Sequence, residues 1–301
     1  MSDEKSFYFF SKSTLSHLRI PFSIHLMPVF LFALSQATHI NWFHAMLAFI
    51  VLHLFIYPAS NGYNSYQDKD ETSIGGLKYP PRVTKNLFYA SLLFDCLGIV
   101  LSLFISIPFS VSVLIYTLVS RAYSYRKLRL KKYAVIGFLT VFLFQGAFTY
   151  FMTSIGVSDL SISGFFTRDH FICMSISSLF IGSVYPLTQI YQHEADKKDG
   201  VTTLSYKLGY IGTFIFSGAL FSIAGGLLFY YFNSKNQLTA LTLFFVCMLP
   251  VIIRLLVWFK NVKQNKEAAN FENTMKMNFL ASSCMNVYFL ILICNNFRAW
   301  F

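Results

Sequence analysis

The feature that most restricts this chain is a succession of apolar runs, most of them long enough to cross a bilayer, that repeats along almost its whole length. A helix needs about 20 predominantly apolar residues to span the hydrocarbon core. Candidate runs fall at 21–37, 43–60, 87–105, 107–120, 133–153, 170–190, 208–232, 238–259 and 277–297. The run at 107–120 is short and has Pro108 near its start, so it and the run before it read as a tight hairpin. In lipid every backbone N–H and C=O needs a partner inside the protein, so such runs fold as helices. The expected fold is all-α: a polytopic membrane helix bundle of about nine transmembrane helices around a central cavity, in a single domain over 1–301. Composition agrees. Of 301 residues, 55 % are hydrophobic and 12 % charged, and the mean hydropathy is +0.54, outside the range of soluble proteins.

The net charge of +11 would raise the question of nucleic acid in a soluble protein, but no basic stretch here carries an RNA- or DNA-binding signature. Lipid topology explains the charge better. With the N-terminus inside, all but Arg168, Lys235 and Arg298 of the 24 Lys and Arg fall in or beside inner segments, as the positive-inside bias requires. The expectation is an integral protein of the cell inner (plasma) membrane, N-terminus in and C-terminus out. Outer connections at 38–42, 156–169 and 233–237 are short or polar, and Trp42, Tyr230, Tyr231 and Trp300 suit an interfacial belt. Cys96, Cys173, Cys247, Cys284 and Cys294 lie in or at the ends of apolar runs with no CxxC pair, and read as lipid- or core-facing thiols. The first twenty residues lack a cleavage site, so the first membrane helix is expected to act as its own insertion signal. Ser217, Gly218, Ala219, Gly225 and Gly226 read as helix-packing positions.

Chemistry-capable residues concentrate on the inner side. The stretch 61–85, NGYNSYQDKDETSIGGLKYPPRVTK, follows the second run and places Asn64 and Asp68 four apart, on one face of a helix. Asp70, Glu71 and the cations Lys69, Lys78, Arg82 and Lys85 follow. A second stretch, QIYQHEADKKDGVTTLSYKLG at 189–209, follows the sixth run and repeats the spacing with Gln192 and Asp196. Gln189 and Asp199 extend that face, with His193 and Glu194 on its flanks. Carboxylates beside lipid are costly and mark function by default. Oxygen donors of this kind suit Mg²⁺ shared with phosphate oxygens. The bland alternative is a pair of hydrated helix ends. Between the stretches lies the most basic loop, SRAYSYRKLRLKKY at 120–133, which could hold a diphosphate or simply anchor the inner face. Within the runs, Asp95 either touches a substrate or is satisfied by a neighbouring helix, Gln145 is equally open to packing or contact, and His25 and His53 read as core histidines.

At these residues the sequence resembles the UbiA superfamily of intramembrane prenyltransferases. Asn64-Ser-Tyr-Gln-Asp68 is similar to its Asn-xxx-Asp-xxx-Asp motif, with Thr72 at the third place. Gln192-His-Glu194-Ala-Asp196, then Gly200, Thr203-Leu204 and Leu208-Gly209, resembles its second motif. Tyr123-Ser124 to Lys131 is similar to the corresponding segment of quinone-making members, and Arg19-Ile-Pro21 resembles the entry to the first helix. The resemblance implies transfer of an isoprenoid chain from a polyprenyl diphosphate to a lipophilic or aromatic acceptor, the quinone-like segment favouring an aromatic one. It implies catalytic Asp68 and Asp196; Mg²⁺ on Asn64, Asp68, Gln192 and Asp196; and diphosphate on Arg19, Lys78, Arg82, Arg126 and Lys131. Gln192 and Thr72 replace the family's usual Asp, so a member that has lost catalysis is one alternative. A transporter is the other, although the polar clusters sit at helix ends and not at the midplane. No sequence signal fixes an oligomeric state.

Overall fold

The computed structural model describes residues 10–69, 71–158 and 160–299, with side chains as far as Asn295. Asp70 of the first polar stretch lies outside these residues, as do Lys5, Trp300 and the side chains of Asn296 and Arg298. Among the described residues there is no strand, only a lone bridge between Ile74 and Leu77. The α-helices of six residues or more are α1 (Lys12–Leu18), α2 (Met27–Gln36), α3 (Trp42–Asp68), α4 (Lys85–Ser102), α5 (Ile107–Ser124), α6 (Ala134–Val157), α7 (Arg168–Thr188), α8 (His193–Lys198), α9 (Leu204–Ser234), α10 (Leu238–Gln264) and α11 (Phe271–Ala299).

The protein is an integral membrane protein. Among the described residues, seven segments are long and apolar enough to cross a membrane, or eight if the bent pair Lys12–His25 and Met27–Gln36 counts as one span. The expected nine is therefore approximate. The run at 107–120 does fold, as α5, but Ser110, Ser112, Thr117, Ser120 and Arg121 dilute its apolar character. The first run is bent by 41°. A 3₁₀ segment, Ile20–His25, precedes α2, whose first turn carries Pro28; a proline there lacks the N–H that a continuous helix would need.

Two helices hold π-helical turns, Ile50–Ile56 in α3 and Phe142–Phe148 in α6. In α6 the Ser178 hydroxyl accepts from the Ala147 N–H at 2.9 Å, supplying a partner within the irregular turn. Gly146 is what lets α7 approach there: a Cβ would sit 2.4 Å from the Ser178 Cα. The glycines expected to pack helices in α9 behave differently. Gly218 and Gly226 have nothing within 4 Å of a built Cβ. Close approach instead falls at Gly146 and at Gly182, where the Phe142 ring would be met at 2.7 Å.

The chain forms two compact units, residues 1–23 with 49–129 and residues 24–48 with 130–301. In the first, α1, the later part of α3, α4 and α5 pack on a core that includes Leu18, Leu52, Ile56, Leu87, Phe109 and Val113. In the second, α7 packs on α6 and α9, α10 on α11, and α2 on α11 and the end of α6. Phe104, Val246, Leu256 and Phe279 are each more than half exposed, a surface that water penalises and lipid does not.

Candidate active site

The first polar stretch belongs to the first unit. Its residues 61–68 continue α3 as a helix, so Asn64 and Asp68 do share a face. Lys69 closes the helix in the left-handed conformation at φ 53°. The end of α3 is gripped by the last residue of α5 and the turn that follows it. The Ser124 hydroxyl donates to Asn64 Oδ1 at 2.9 Å. Arg126 Nε donates to the Gln67 carbonyl at 2.7 Å and Nη2 to the Asp68 carbonyl at 3.3 Å, satisfying acceptors that a helix C-terminus leaves open. Arg129, itself left-handed at φ 44°, places Nη2 3.2 Å from Asp68 Oδ1, with both side chains largely buried. Arg129 was not singled out from the basic loop by sequence; only the fold separates it from its neighbours.

The loop after α3 folds back on α1. Arg19 Nη1 donates to the Gly75 carbonyl at 2.9 Å and Nη2 to the Asn61 carbonyl at 3.2 Å, so this cation ties the loop to α3. His17 Nε2 lies 2.7 Å from the Pro81 carbonyl. Lys78 and Arg82 are exposed.

Asp95 has its partner in the next helix. Arg121 Nε donates to Asp95 Oδ2 at 2.9 Å, and Nη2 donates to the same oxygen. The guanidinium also lies over the Tyr63 ring, 3.9 Å from its centroid. Of the two readings of Asp95, the structure shows satisfaction by a neighbouring helix.

The second stretch belongs to the second unit and is not one continuous helix. Pro186 stands in the last turn of α7, a 3₁₀ turn follows at Ile190–Gln192, and α8 starts afresh with Gln192 as its N-cap. Asp196 is half-buried within α8, Glu194 is exposed, and Asp199 caps the helix ahead of left-handed Gly200. His193 anchors this segment: its Nε2 lies 2.8 Å from Ser205 Oγ, which lies 3.1 Å from Thr213 Oγ1. Thr213 donates to the Gly209 carbonyl at 2.7 Å. With that proton committed, Ser205 donates to Thr213 and His193 Nε2–H donates to Ser205. Gly209, at φ 66° and ψ 178°, breaks α9 in a region essentially confined to glycine. Lys131, half-buried in a 3₁₀ turn, precedes Lys132, whose carbonyl accepts from the Thr202 N–H at 3.2 Å.

Mg²⁺ is usually held by one or two carboxylates with substrate phosphates, not by an all-protein cage. The donors here have that character: a carboxylate and an amide oxygen near the end of α3, and the same pair around the start of α8. Among the described residues, no group of three or more His, Cys, Asp or Glu could hold a metal by itself. The residues fit a hard cation that brings oxygen ligands with it.

A profile of the UbiA prenyltransferase family matches residues 25–280. A solved UbiA homolog from Archaeoglobus fulgidus bound to DMAPP and Mg²⁺ is 17 % identical, at a TM-score of 0.67, over 94 % of this chain and 99 % of its own. The homolog bound to GPP and Mg²⁺ gives 0.66 at the same identity and coverage. A structure described as that of a digeranylgeranylglyceryl phosphate synthase in membranes is 20 % identical, at 0.58, over 94 % of this chain and 97 % of its own. At such identities the likeness is one of fold. Among curated proteins, none matches.

Proposed function

The chain belongs to the UbiA prenyltransferase family, and from that premise we propose that it moves an isoprenoid chain from its diphosphate to an aromatic, quinone-precursor-like acceptor within the bilayer. The observation that supports this most is the end of α3, where the Asp68 carboxylate meets Arg129 and Arg126 covers the adjoining carbonyls. A metal diphosphate carries both signs of charge, and this cluster offers a partner for each. Solved homologs bound to GPP or DMAPP with Mg²⁺ supply the analogy for the donor.

In this reading Asn64, Asp68, Gln192 and Asp196 would hold Mg²⁺, which when bound withdraws charge from the diphosphate and improves it as a leaving group. Lys78, Arg82, Arg126 and Lys131 take phosphate oxygens, and Arg129 joins them. Arg19 adds positive charge to the loop it anchors. The prenyl C–O bond breaks with its electron pair going to diphosphate. Aromatic faces stabilise the allylic cation, and exclusion of water keeps it for the acceptor. The acceptor's ring carbon then bonds to the chain and loses a proton. The whole chain acts as one domain in the plasma membrane, with the site on the cytoplasmic side and the N-terminus inside. An aromatic acceptor is favoured by the segment Tyr123-Ser124 to Lys131.

The test is purified protein given Mg²⁺, a polyprenyl diphosphate and a panel of aromatic acceptors, with products read by mass spectrometry. Release of diphosphate with a prenylated product is expected, and Asp68→Ala or Asp196→Ala abolishes it. Full turnover in both variants would remove the metal assignment. Gln192 and Thr72 favour a second reading, a member that binds prenyl diphosphate without cleaving it; binding without release by the unmodified chain is its signature.

A further inference from the structure

Arg254 sits where a membrane helix rarely carries charge. It lies in α10, six residues or about 9 Å before Lys260, the first of the cations near the turn into α11, and apolar residues flank it from Val251 to Ile253 and from Leu255 to Val257. Nη2 donates to Asn273 Oδ1 of α11 at 2.8 Å. Among the described residues that is its only hydrogen bond, and no carboxylate pairs with it. A guanidinium keeps its proton, so the charge persists, and the neutral amide of Asn273 does not balance it. The geometry is set in advance. Asn273 Nδ2 donates to the Ala268 carbonyl at 3.0 Å, the same carbonyl that accepts from Trp258 Nε1 at 2.7 Å. The Asn273 N–H donates to Asn270 Oδ1 at 3.0 Å. These bonds turn Asn273 Oδ1 toward Arg254 and hold the guanidinium level with the first turn of α11, as a long cationic side chain reaching for the membrane surface would be.

We infer that the hairpin of α10 and α11 binds an anionic phospholipid, with the headgroup phosphate on Arg254. The site faces lipid and not the interior. The apolar pocket of the second unit takes Val251, Ile252 and Leu255 from α10, and Arg254 is not among its lining residues. Its neighbours Ile253 and Val257, and Phe279 of α11, are instead exposed, a surface that acyl chains would cover. Lys276 is exposed and lies three residues after Asn273, on the same face of α11, where it adds a second cation. A phosphate diester offers two oxygens to the planar fork of an arginine, and basic sites between membrane helices are suited to such headgroups. A zwitterionic headgroup brings its own ammonium and leaves less charge for Arg254. A soluble anion has no chains to lay on Ile253, Val257 and Phe279. The inference needs only that the chain spans a bilayer and does not depend on the transferase reading.

The experiment places the full chain in nanodiscs of equal phosphatidylglycerol and phosphatidylcholine with matched acyl chains, and reads the lipids retained by native mass spectrometry. One charge-assisted hydrogen bond predicts about a tenfold preference for phosphatidylglycerol. Arg254→Gln keeps a donor for Asn273, is expected to fold, and should bring the two lipids within about twofold. Lys263→Gln removes the same charge from the same helix, but nine residues on and so half a turn round, and should leave the preference in place. In detergent, added phosphatidylglycerol should raise the melting temperature of the unmodified chain and not that of Arg254→Gln, and excess inorganic phosphate should not reproduce the rise. Equal retention of the two lipids by the unmodified chain would overturn the inference, leaving a guanidinium solvated by water. A preference that survives Arg254→Gln, or one lost equally in Lys263→Gln, would overturn it in favour of a diffuse positive field. A rise reproduced by inorganic phosphate would overturn it in favour of a soluble anion.

Discussion

Arg129 Nη2 lies 3.2 Å from Asp68 Oδ1, in a pair whose side chains are only 10 % and 7 % exposed. Asp68 belongs to the polar end of a membrane helix and Arg129 to a turn after the hairpin of α4 and α5, so the contact fastens that turn to α3. Charge-assisted hydrogen bonds with this little solvent around them contribute more than surface pairs do. Arg129→Met is expected to lower stability by about 2 kcal/mol, read as a fall in melting temperature in detergent. Arg129→Lys should lie between the two, since it keeps the charge and loses the planar fork. An unchanged melting temperature in Arg129→Met would show that the pair carries no stability.

Asp95 and Arg121 form a second pair, across α4 and α5. Removing one member strands the other's charge, at a cost of roughly 3 kcal/mol, while replacing both with apolar residues of similar size is often close to neutral. Asp95→Leu alone should therefore destabilise the protein markedly, and Asp95→Leu with Arg121→Met should recover most of the loss. A double-mutant cycle by thermal unfolding measures the coupling. Simple additivity would mean that the two side chains act independently.

Two glycines in the same helix should respond in opposite ways. Gly209 has φ 66° and ψ 178°, so Gly209→Ala should cost about 1–3 kcal/mol through backbone strain. It should also disturb the Thr213–Ser205–His193 chain that positions α8. Gly218 has nothing within 4 Å of a built Cβ, and Gly218→Ala should stabilise α9 by up to about 1 kcal/mol. Equal melting temperatures for the two variants would contradict this contrast.

Chelation provides a separate check on the enzyme reading. Dialysis against EDTA should stop diphosphate release, and Mg²⁺ should restore it, because carboxylates and amides are hard oxygen donors. Undiminished release after chelation would remove the metal from the reaction.

The helices were legible because lipid leaves the backbone few alternatives. The same logic located Asn64 and Asp68, whose spacing is meaningful only on a helix that outruns its apolar segment. The π turns were not legible, since Ile50–Ile56 reads IVLHLFI, and a segment apolar at every position but His53 has too little contrast to show a shift of face. The break before α8 had a local signal in Pro186, but the repeated spacing of Gln192 and Asp196 favoured a continuous helix. Arg129 was hidden for a different reason. It is one of six cations between 120 and 133, and composition gives no ground for choosing among them. Asp95 and Arg121 stand 26 residues apart, and a hairpin of uncertain register does not fix which side chains meet.

A turn with i→i+5 bonding accommodates one residue more than the helix on either side needs. Deleting a single residue between positions 50 and 56 should therefore collapse the bulge to ordinary α-helix and leave the faces on both flanks in phase. The same deletion elsewhere in α3 would swing everything beyond it by about 100°. In evolutionary terms, the spare residue makes this helix a place where length can change without changing what Asn64 and Asp68 face.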